Sequence, residues 1–310
     1  MSKDVSIPGS GFHRGPALRM KDALESARKA TGALNAAYWI VEKVTGYDRS
    51  GIMLRGQTVL PASQSGLLYT LLARIEAGEP LQYVLGTWGF RGLDIHCDRR
   101  ALIPRPETEQ VVDVALEELS KIPGDDLLVA DLGTGSGAIA LAIAVEGGSK
   151  VDGRVLKVVA TDISRDALEL AAENLEYTVG NRPEIAGMVI FRQGSWYDAL
   201  DRGDRGRLSM IVSNPPYLSR SQWVSLDPIV LEYEPKVALV GGEDGLECLR
   251  VLIGGAIQWL SENGCMVLEI DPLQEEAVVE MAVKVGFGRV LILDDLCGRP
   301  RVCVAERHSL

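Results

Sequence analysis

The chain has 310 residues, of which 46% are hydrophobic and 24% are charged, a composition typical of a globular protein with one large core and a smaller accessory domain. No apolar run reaches the roughly 18 residues that a membrane-spanning helix needs, and the first residues lack the apolar core of a signal peptide. The five cysteines form no CxxC pair and there are only three histidines, so neither a disulfide framework nor a metal site is expected. We therefore expect a cytoplasmic protein that binds neither membrane nor metal.

Residues 1–81 are predicted to form a separate small helical bundle. Apolar residues recur at helical spacing in two stretches, and a proline opens a third helix. These features are Leu18, Leu24 and Ala27, then Ala37, Ile40, Val41 and Val44, then a helix opened by Pro61 that ends at Gly78. Residues 1–60 carry nine Lys/Arg and five Asp/Glu, a net charge of +4. Because the whole chain carries −11, residues 61–310 carry a net charge of −15. The acidic remainder argues against a sequence-independent grip on nucleic acid. The basic segment is either a solvated helical face or a contact surface for an acidic or RNA-bearing partner.

Residues 82–125 are predicted to connect this bundle to a larger domain through a β-hairpin, a loop and a helix. Apolar residues interrupted by Gly86 and Gly92 indicate the hairpin, and they are Tyr83, Val84, Phe90, Leu93 and Ile95. The run Ile103–Glu109 is expected to be extended, because each proline disfavours the helical region for the residue before it. A helix is expected from there to about Leu119.

From residue 126 to residue 310, short apolar strands alternate with helices, and this alternation predicts a parallel sheet with helices on both faces. The predicted strands are Leu127–Asp131, Leu156–Thr161, Met188–Arg192, Met210–Ser213, Cys265–Ile270, Val290–Leu293 and Arg301–Ala305. The predicted helices lie near 137–146, 165–175, 245–261 and 273–285. Only seven residues separate the last two strands, which is too few for a helical crossover, so they should form an antiparallel hairpin. The fold class is therefore α/β, with a doubly wound, mostly parallel, seven-stranded sheet.

A glycine-rich loop, Asp131-Leu132-Gly133-Thr134-Gly135-Ser136-Gly137, follows the first of these strands and opens a helix. Its glycines allow a ligand to approach the backbone beside the free N–H groups of the helix N-terminus. Asp162 ends the next strand, where its carboxylate can accept both ribose hydroxyls of an adenosine ligand. The loop also satisfies the dinucleotide fingerprint, and a glycine turn without a ligand is the plainer alternative. Asp131 favours a cofactor with ammonium and sulfonium groups over a pyrophosphate, which a carboxylate repels.

The motif Asn214-Pro215-Pro216-Tyr217 follows another apolar strand, at the sheet edge where open α/β folds bind ligands. An amide nitrogen is a poor nucleophile because its lone pair is delocalised, so an enzyme that methylates it must engage both hydrogens of the planar NH₂ group. The side-chain oxygen of Asn214 and a backbone carbonyl of the proline pair can accept those hydrogens. The prolines stiffen these acceptors, and Tyr217 offers a flat face for stacking.

With these motifs the sequence resembles the HemK/PrmC family of release-factor glutamine methyltransferases over nearly its whole length. The matching segments are Pro80–Gly86, Ile103–Glu109, Gly133–Gly137, Asn214–Tyr217, Glu232–Pro235 with Ala238 and Leu239, and Asp295–Arg301. The Ile103–Glu109 run is the most specific of them, whereas Asn-Pro-Pro-Tyr is shared with adenine N6-methyltransferases.

The resemblance implies a class I S-adenosylmethionine-dependent methyltransferase that acts on the glutamine of a Gly-Gly-Gln loop in peptide chain release factors. Asn214–Tyr217 would hold the glutamine and Trp196 would lie against the adenine. The residues implied to bind the cofactor are Gly133, Thr134, Gly135, Ser136, Gly137, Asp162, Trp196 and Asn214, and Asp131 ahead of the glycines is predicted to bind it as well. Two positions depart from the family pattern, since Ser195 replaces a commonly acidic residue and Asp271 replaces a usual glycine. Residues 1–80 would dock the release factor or, alternatively, support the hairpin.

Two other functions compete with this interpretation. An adenine N6-methyltransferase would bind the same planar NH₂ group, but the −15 charge of residues 61–310 and the lack of a large target-recognition insertion argue against DNA or RNA as the substrate. A catalytically silent scaffold with a methyltransferase fold would not need the intact glycine loop, Asp162 and Asn-Pro-Pro-Tyr together. No sequence-specific binding of nucleic acid is expected.

Overall fold

The computed structural model of the protein describes residues 18–150 and 154–307. Within these ranges the chain divides after Leu85 into two compact units. The first 17 residues of the predicted N-terminal bundle and the last three of the predicted larger domain lie outside the described residues. Across the described ranges, no helix combines the length and the apolar character that crossing a membrane requires.

The first unit is helical. Its helices are α1 (Met20–Thr31), α2 (Leu34–Thr45), α3 (Arg49–Leu54), α4 (Ala62–Glu76) and α5 (Leu81–Leu85). Their buried faces follow the helical period, with Ala23 and Ala27 on α1, Ile40 on α2, and Leu68 and Leu71 on α4. Each fully buried leucine or isoleucine contributes roughly 1.5–3 kcal/mol to stability, so the predicted stripes hold the bundle together. Leu18 and Leu24 are only half-buried.

The predicted start of the hairpin is wrong, because Tyr83 and Val84 lie in helix α5. Pro80 precedes the first turn, where its fixed φ suits a helix start, and Gly86 ends the helix with φ +73°, a conformation that favours glycine. Tyr83, Val84 and Leu85 are all buried, so no alternating strand pattern exists here. The hairpin consists instead of β1 (Thr87–Phe90) and β2 (Leu93–His96), which pair antiparallel.

The second unit continues with one helix and seven strands joined mostly by helices. The helices are α6 (Thr108–Lys121), α7 (Ala138–Lys150), α8 (Arg165–Asn181), α9 (Arg220–Trp223), α10 (Pro228–Tyr233), α11 (Glu247–Ala256) and α12 (Glu275–Val285). The strands are β3 (Asp126–Leu132), β4 (Val155–Asp162), β5 (Val189–Gln193), β6 (Leu208–Ser213), β7 (Leu260–Glu269), β8 (Arg289–Asp294) and β9 (Pro300–Glu306). All seven predicted strands are present. Helix α11 ends well before residue 261 because Leu260 already pairs with Leu208 of β6.

The seven strands form one sheet in the order β5-β4-β3-β6-β7-β9-β8. Strands β5, β4, β3, β6 and β7 run parallel, whereas β9 pairs antiparallel with both β7 and β8. This is the doubly wound sheet with an antiparallel C-terminal hairpin that the sequence predicts, so the predicted fold class is confirmed. Strand β4, which follows β3 in the sequence, lies on one side of β3, whereas β6 lies on its other side. Ligands bind at such a switch point, outside the carboxyl ends of the strands.

The central strands are buried on both faces. Every residue of β6 is buried, and Leu132, Ile211 and Met266 belong to a core that α11 and α12 cover from one side. A dense core of this kind fixes the strand ends to within small displacements. The side chains that follow β3, β4 and β6 therefore stand on a rigid platform.

Candidate active site

A cavity of about 260 Å³ opens at the carboxyl ends of β3, β4 and β6. It brings together eight of the residues predicted for the site, which are Gly133, Thr134, Gly135, Ser136, Asp162, Trp196, Asn214 and Pro216. Gly137, Pro215 and Tyr217 lie in the same loops and Asp131 lies near the end of β3, but none of these four residues lines the cavity. Ser195, one of the two departures from the family pattern, lines it as well. The other, Asp271, accepts a hydrogen bond from the Leu273 backbone N–H and so caps a short helical turn.

The glycine loop is tied to the neighbouring strand through its backbone. The N–H groups of Gly133 and Thr134 both donate to the Thr161 carbonyl at 2.8 Å. Gly133 has φ +79°, and a Cβ atom there would lie 3.3 Å from the Trp196 ring. Glycine at this position therefore lets the loop pack closely against the indole, where a side chain would be crowded.

Asp131 lies beneath this loop and is fully buried. Its Oδ2 accepts a hydrogen bond of 2.6 Å from the Thr134 hydroxyl, while its Oδ1 has no hydrogen-bond partner among the described residues. Burial raises the pKa of Asp131 to about 7, although Thr134 and the first-turn N–H of Ala140 oppose that rise. When ionised, the carboxylate places a negative charge under the loop, and this charge suits a cationic ligand.

Asp162 is held by two backbone donors. Its Oδ2 accepts from the Gly135 N–H at 2.9 Å and its Oδ1 from the Ser164 N–H at 2.8 Å. Burial raises the pKa of Asp162, and those backbone N–H groups counteract the rise. A carboxylate has about four lone-pair sites, so two remain for a diol in the cavity that Asp162 lines.

Trp196 has a strained backbone at the edge of the cavity. Its φ is +48°, a left-handed conformation that costs a non-glycine residue on the order of 1–3 kcal/mol. The neighbouring Gly194 fits tightly, since a Cβ there would lie 2.9 Å from Ala199, and its N–H donates to the Asp162 carbonyl. Surrounding packing therefore holds Trp196 in place, with its ring facing the glycine loop.

Asn214 is oriented by two residues that lie outside the Asn-Pro-Pro-Tyr motif. Its Nδ2 donates to the Thr108 hydroxyl at 3.0 Å, and that hydroxyl donates to Glu269 Oε2 at 2.6 Å. The Asn214 Oδ1 accepts no hydrogen bond from any residue in the described ranges. Thr108 lies in the proline-rich run singled out from the sequence, but nothing in the local pattern of Glu269 links it to Asn214. Only the pairing of β6 with β7 brings the two together.

The proline-rich run forms one wall of the cavity, a role that its sequence alone does not reveal. Ile103 and Arg105 line it, and Glu234 fixes both by accepting from the Ile103 N–H and the Arg105 guanidinium. The Glu234 side chain is only 3% exposed. Arg99 adds a cation–π contact, 4.4 Å from the Tyr233 ring centroid. Tyr233 and Glu234, which follow the Asn-Pro-Pro-Tyr motif in the sequence, therefore hold this wall in place.

Together these residues fit S-adenosylmethionine. Asp162 would offer acceptors for the ribose, and Trp196 would offer an aromatic face for the adenine. The carboxylate of Asp131 under the glycine loop would favour the positively charged part of the cofactor. Asn214 lines the same cavity, so its free side-chain oxygen could meet a nucleophile beside the bound cofactor.

Comparisons with known proteins also indicate a methyltransferase. The family described as "PrmC N-terminal domain" matches residues 19–86, and the family described as "Methyltransferase small domain" matches residues 109–226. A protein of Xylella fastidiosa called "Release factor glutamine methyltransferase" is 39% identical, with 84% of this chain and 88% of that protein covered. Proteins of the same name from Gloeobacter violaceus (36% identical, 86% and 88% covered) and Neisseria gonorrhoeae (36%, 87% and 92%) are similar as well. The chain therefore belongs to the release factor glutamine methyltransferase family.

Proposed function

We propose that the protein transfers a methyl group from S-adenosylmethionine to the side-chain amide nitrogen, N5, of the glutamine in the Gly-Gly-Gln motif of peptide chain release factors. The observation that carries this proposal is the Asn214 side chain, whose NH₂ group is occupied by Thr108 while its oxygen is left for a ligand. An acceptor fixed at the cavity wall matches a substrate that presents an NH₂ group. Family membership identifies that substrate as a release-factor glutamine.

Catalysis would depend on orientation and on acceptors for the amide hydrogens. Bound S-adenosylmethionine would supply a methyl group whose bond to the positively charged sulfur breaks as its bond to the glutamine nitrogen forms, which leaves a neutral thioether and releases one proton of the former NH₂ group. The Asn214 oxygen accepts one hydrogen of the glutamine NH₂ and a proline carbonyl of the motif accepts the other, which turns the nitrogen toward the methyl group. The Pro216 carbonyl packs against Gly241, where a Cβ would lie 2.3 Å away, so the Pro215 carbonyl is the better candidate. Tyr217 is anchored by its own carbonyl, which accepts from Gln274 at 3.0 Å.

The alternative substrate, adenine in DNA or RNA, presents the same planar NH₂ group. Residues 61–310 carry a net charge of −15, which opposes binding to a phosphate backbone. Incubation with methyl-labelled S-adenosylmethionine and, in parallel, a release factor, DNA and RNA distinguishes these substrates. Label in the release factor alone is expected. Label in nucleic acid alone would replace the proposed function, and no label in any substrate would favour the silent scaffold.

We further propose that the N-terminal helical unit docks the body of the release factor in the cytoplasm, where release factors act. One loop offers little area for recognising a protein, and a typical stable interface buries about 800 Å² per partner. The unit carries exposed basic residues on α1 and α2, namely Arg28, Lys29 and Lys43. Support of the hairpin by this unit remains the competing role.

Charge reversal tests the docking role without removing the unit. Arg28→Glu, Lys29→Glu and Lys43→Glu together should raise KM for the intact release factor roughly fivefold or more, because rim charges govern association. The KM for a short Gly-Gly-Gln peptide should not change. Lys157→Glu, on the exposed amino-terminal part of β4, is the matched control and should alter neither value. Equal effects on protein and peptide, or none on either, would refute docking.

A further inference from the structure

The orientation of the Asn214 side chain follows from the number of hydrogens that Thr108 can donate. A hydroxyl has one hydrogen and two acceptor lone pairs, and an ionised carboxylate only accepts. The Thr108 hydrogen is directed at Glu269 Oε2, 2.6 Å away. The Asn214 atom that lies 3.0 Å from Thr108 must therefore be a donor, which is the NH₂ group.

We infer that Thr108 and Glu269 are positioning residues that hold the Asn214 oxygen toward the substrate nitrogen. This inference rests on the proposed function. A free asparagine amide can turn by half a rotation at little cost, and the reversed orientation would present NH₂ to the substrate NH₂, donor against donor. The hydrogen bonds from Asn214 to Thr108 and from Thr108 to Glu269 allow only the orientation in which the Asn214 oxygen faces the substrate.

Each member of the chain is placed by a different element of the fold. Glu269 is the last residue of β7 and is 1% exposed, Thr108 is the first residue of α6 and is 5% exposed, and Asn214 directly follows β6. Strands β6 and β7 are neighbours in the sheet, with Ser213 opposite Leu268. Buried groups on regular elements hold their geometry better than groups on loops, so these bonds persist without the substrate.

Protonation of Glu269 would allow both of these hydrogen bonds to reverse their direction. A neutral Glu269 can donate to Thr108, which can then donate to the Asn214 oxygen and leave NH₂ facing the cavity. Burial is the main cause that raises the pKa of Glu269 to about 7, and Glu107 raises it further. The Thr108 hydrogen bond, Arg301 and Arg105 lower it, and the Tyr217 phenol also lies in its electrostatic surroundings. Below about pH 7 the protonated form predominates, so kcat should rise with pH through about 7 and then level off.

A resonance of Asn214 itself provides a test that needs no substrate. The chain contains five asparagines, so selective ¹⁵N labelling yields five side-chain amides, and the Asn214 amide is identified by its loss in Asn214→Asp. In the cofactor-free protein the Asn214 amide protons should shift with an apparent pKa near that of Glu269. The shift should be absent from Glu269→Gln. An Asn214 amide that does not respond to pH between 5 and 9 would overturn the inference even if the enzyme methylates glutamine as proposed.

Kinetics provide the second test. Thr108→Val and Glu269→Gln should each lower kcat about 10- to 100-fold, the loss expected when a reacting group is misaligned by a fraction of an ångström to one ångström. Thr108→Ser keeps the hydroxyl and should recover most of the activity lost in Thr108→Val, and the affinity for S-adenosylmethionine should stay within about threefold. Thr178→Val is the matched control, because Thr178 is a buried threonine whose hydroxyl donates to the Asn174 carbonyl.

These outcomes separate the positioning role from the activity. Parental kcat in folded Thr108→Val would overturn the positioning role and leave the proposed function intact. Parental enzyme that fails to methylate a release factor would overturn the proposed function, whereas the amide resonance would still report on the chain. If Thr108→Val does not fold, the Thr108→Ser and Glu269→Gln variants and the pH titration of the parental protein decide the question.

Discussion

Asp162→Ala should weaken cofactor binding far more than it weakens folding. The carboxylate faces the cavity with two lone-pair sites left after the bonds from the Gly135 and Ser164 N–H groups. Hydrogen bonds to a charged acceptor contribute roughly 1.5–3 kcal/mol each. With two ribose hydroxyls and partial solvent competition, we expect a loss of about 2–4 kcal/mol, which raises Kd roughly 30- to 1,000-fold.

Titration calorimetry with S-adenosylmethionine measures this loss directly. Asp48→Ala is the matched control, because Asp48 also accepts a backbone N–H, at 2.7 Å from Gly51, but belongs to the N-terminal unit. The control should bind the cofactor with parental Kd. A folded Asp162→Ala variant whose Kd stays within about threefold of the parental value would refute the ribose assignment and the placement of the cofactor in this cavity.

Three further predictions concern the same site. Asn214→Ala should lower kcat by roughly 10²–10³ while the circular dichroism spectrum is unchanged, and near-parental turnover at saturating substrate would remove its assigned role. Asp131→Asn should raise the free energy of unfolding of the cofactor-free protein by roughly 1–3 kcal/mol at pH 8 and by less at pH 5. The sign follows because burial raises the pKa of Asp131 from its ordinary value of 3.8 to about 7 in the folded state. The carboxyl ionises near pH 4 in the unfolded chain but only near pH 7 in the folded protein, so the stability of the folded state falls as the pH rises between these two values. Equal unfolding midpoints for Asp131→Asn and the parental protein at pH 8 would contradict this. Chelator treatment should leave full activity, and a loss of activity that added metal reverses would contradict the expectation that the site needs no metal ion.

Most of the sheet could be predicted from the sequence because its strands and helices have distinct periods. Seven apolar runs bounded by turns became seven strands, and the short last connection became an antiparallel hairpin. The error at Tyr83 and Val84 has a physical cause. A one-turn helix that is buried on several sides shows no helical period, and its apolar residues also fit a strand.

The parts of the site that lie within one motif could be predicted, whereas contacts between motifs could not. The glycine loop, Asp162 and Asn214 are recognisable because each follows a strand at the same edge of the sheet. Thr108 and Glu269 are 161 residues apart, and neither has a local signature of its contact with the other. Likewise, the sequence does not reveal that Asp131 lies under the loop and contacts Thr134, and its role in cofactor binding stays a prediction.

The central claim is tested most directly by peptide mapping of a release factor after incubation with the protein and S-adenosylmethionine. The predicted result is the added mass of a single methyl group on the glutamine of the Gly-Gly-Gln peptide, with fragment ions that assign it to the side chain, and a large reduction of this product with Asn214→Ala. An unmodified glutamine, or a methyl group on another residue of the release factor, would contradict the account.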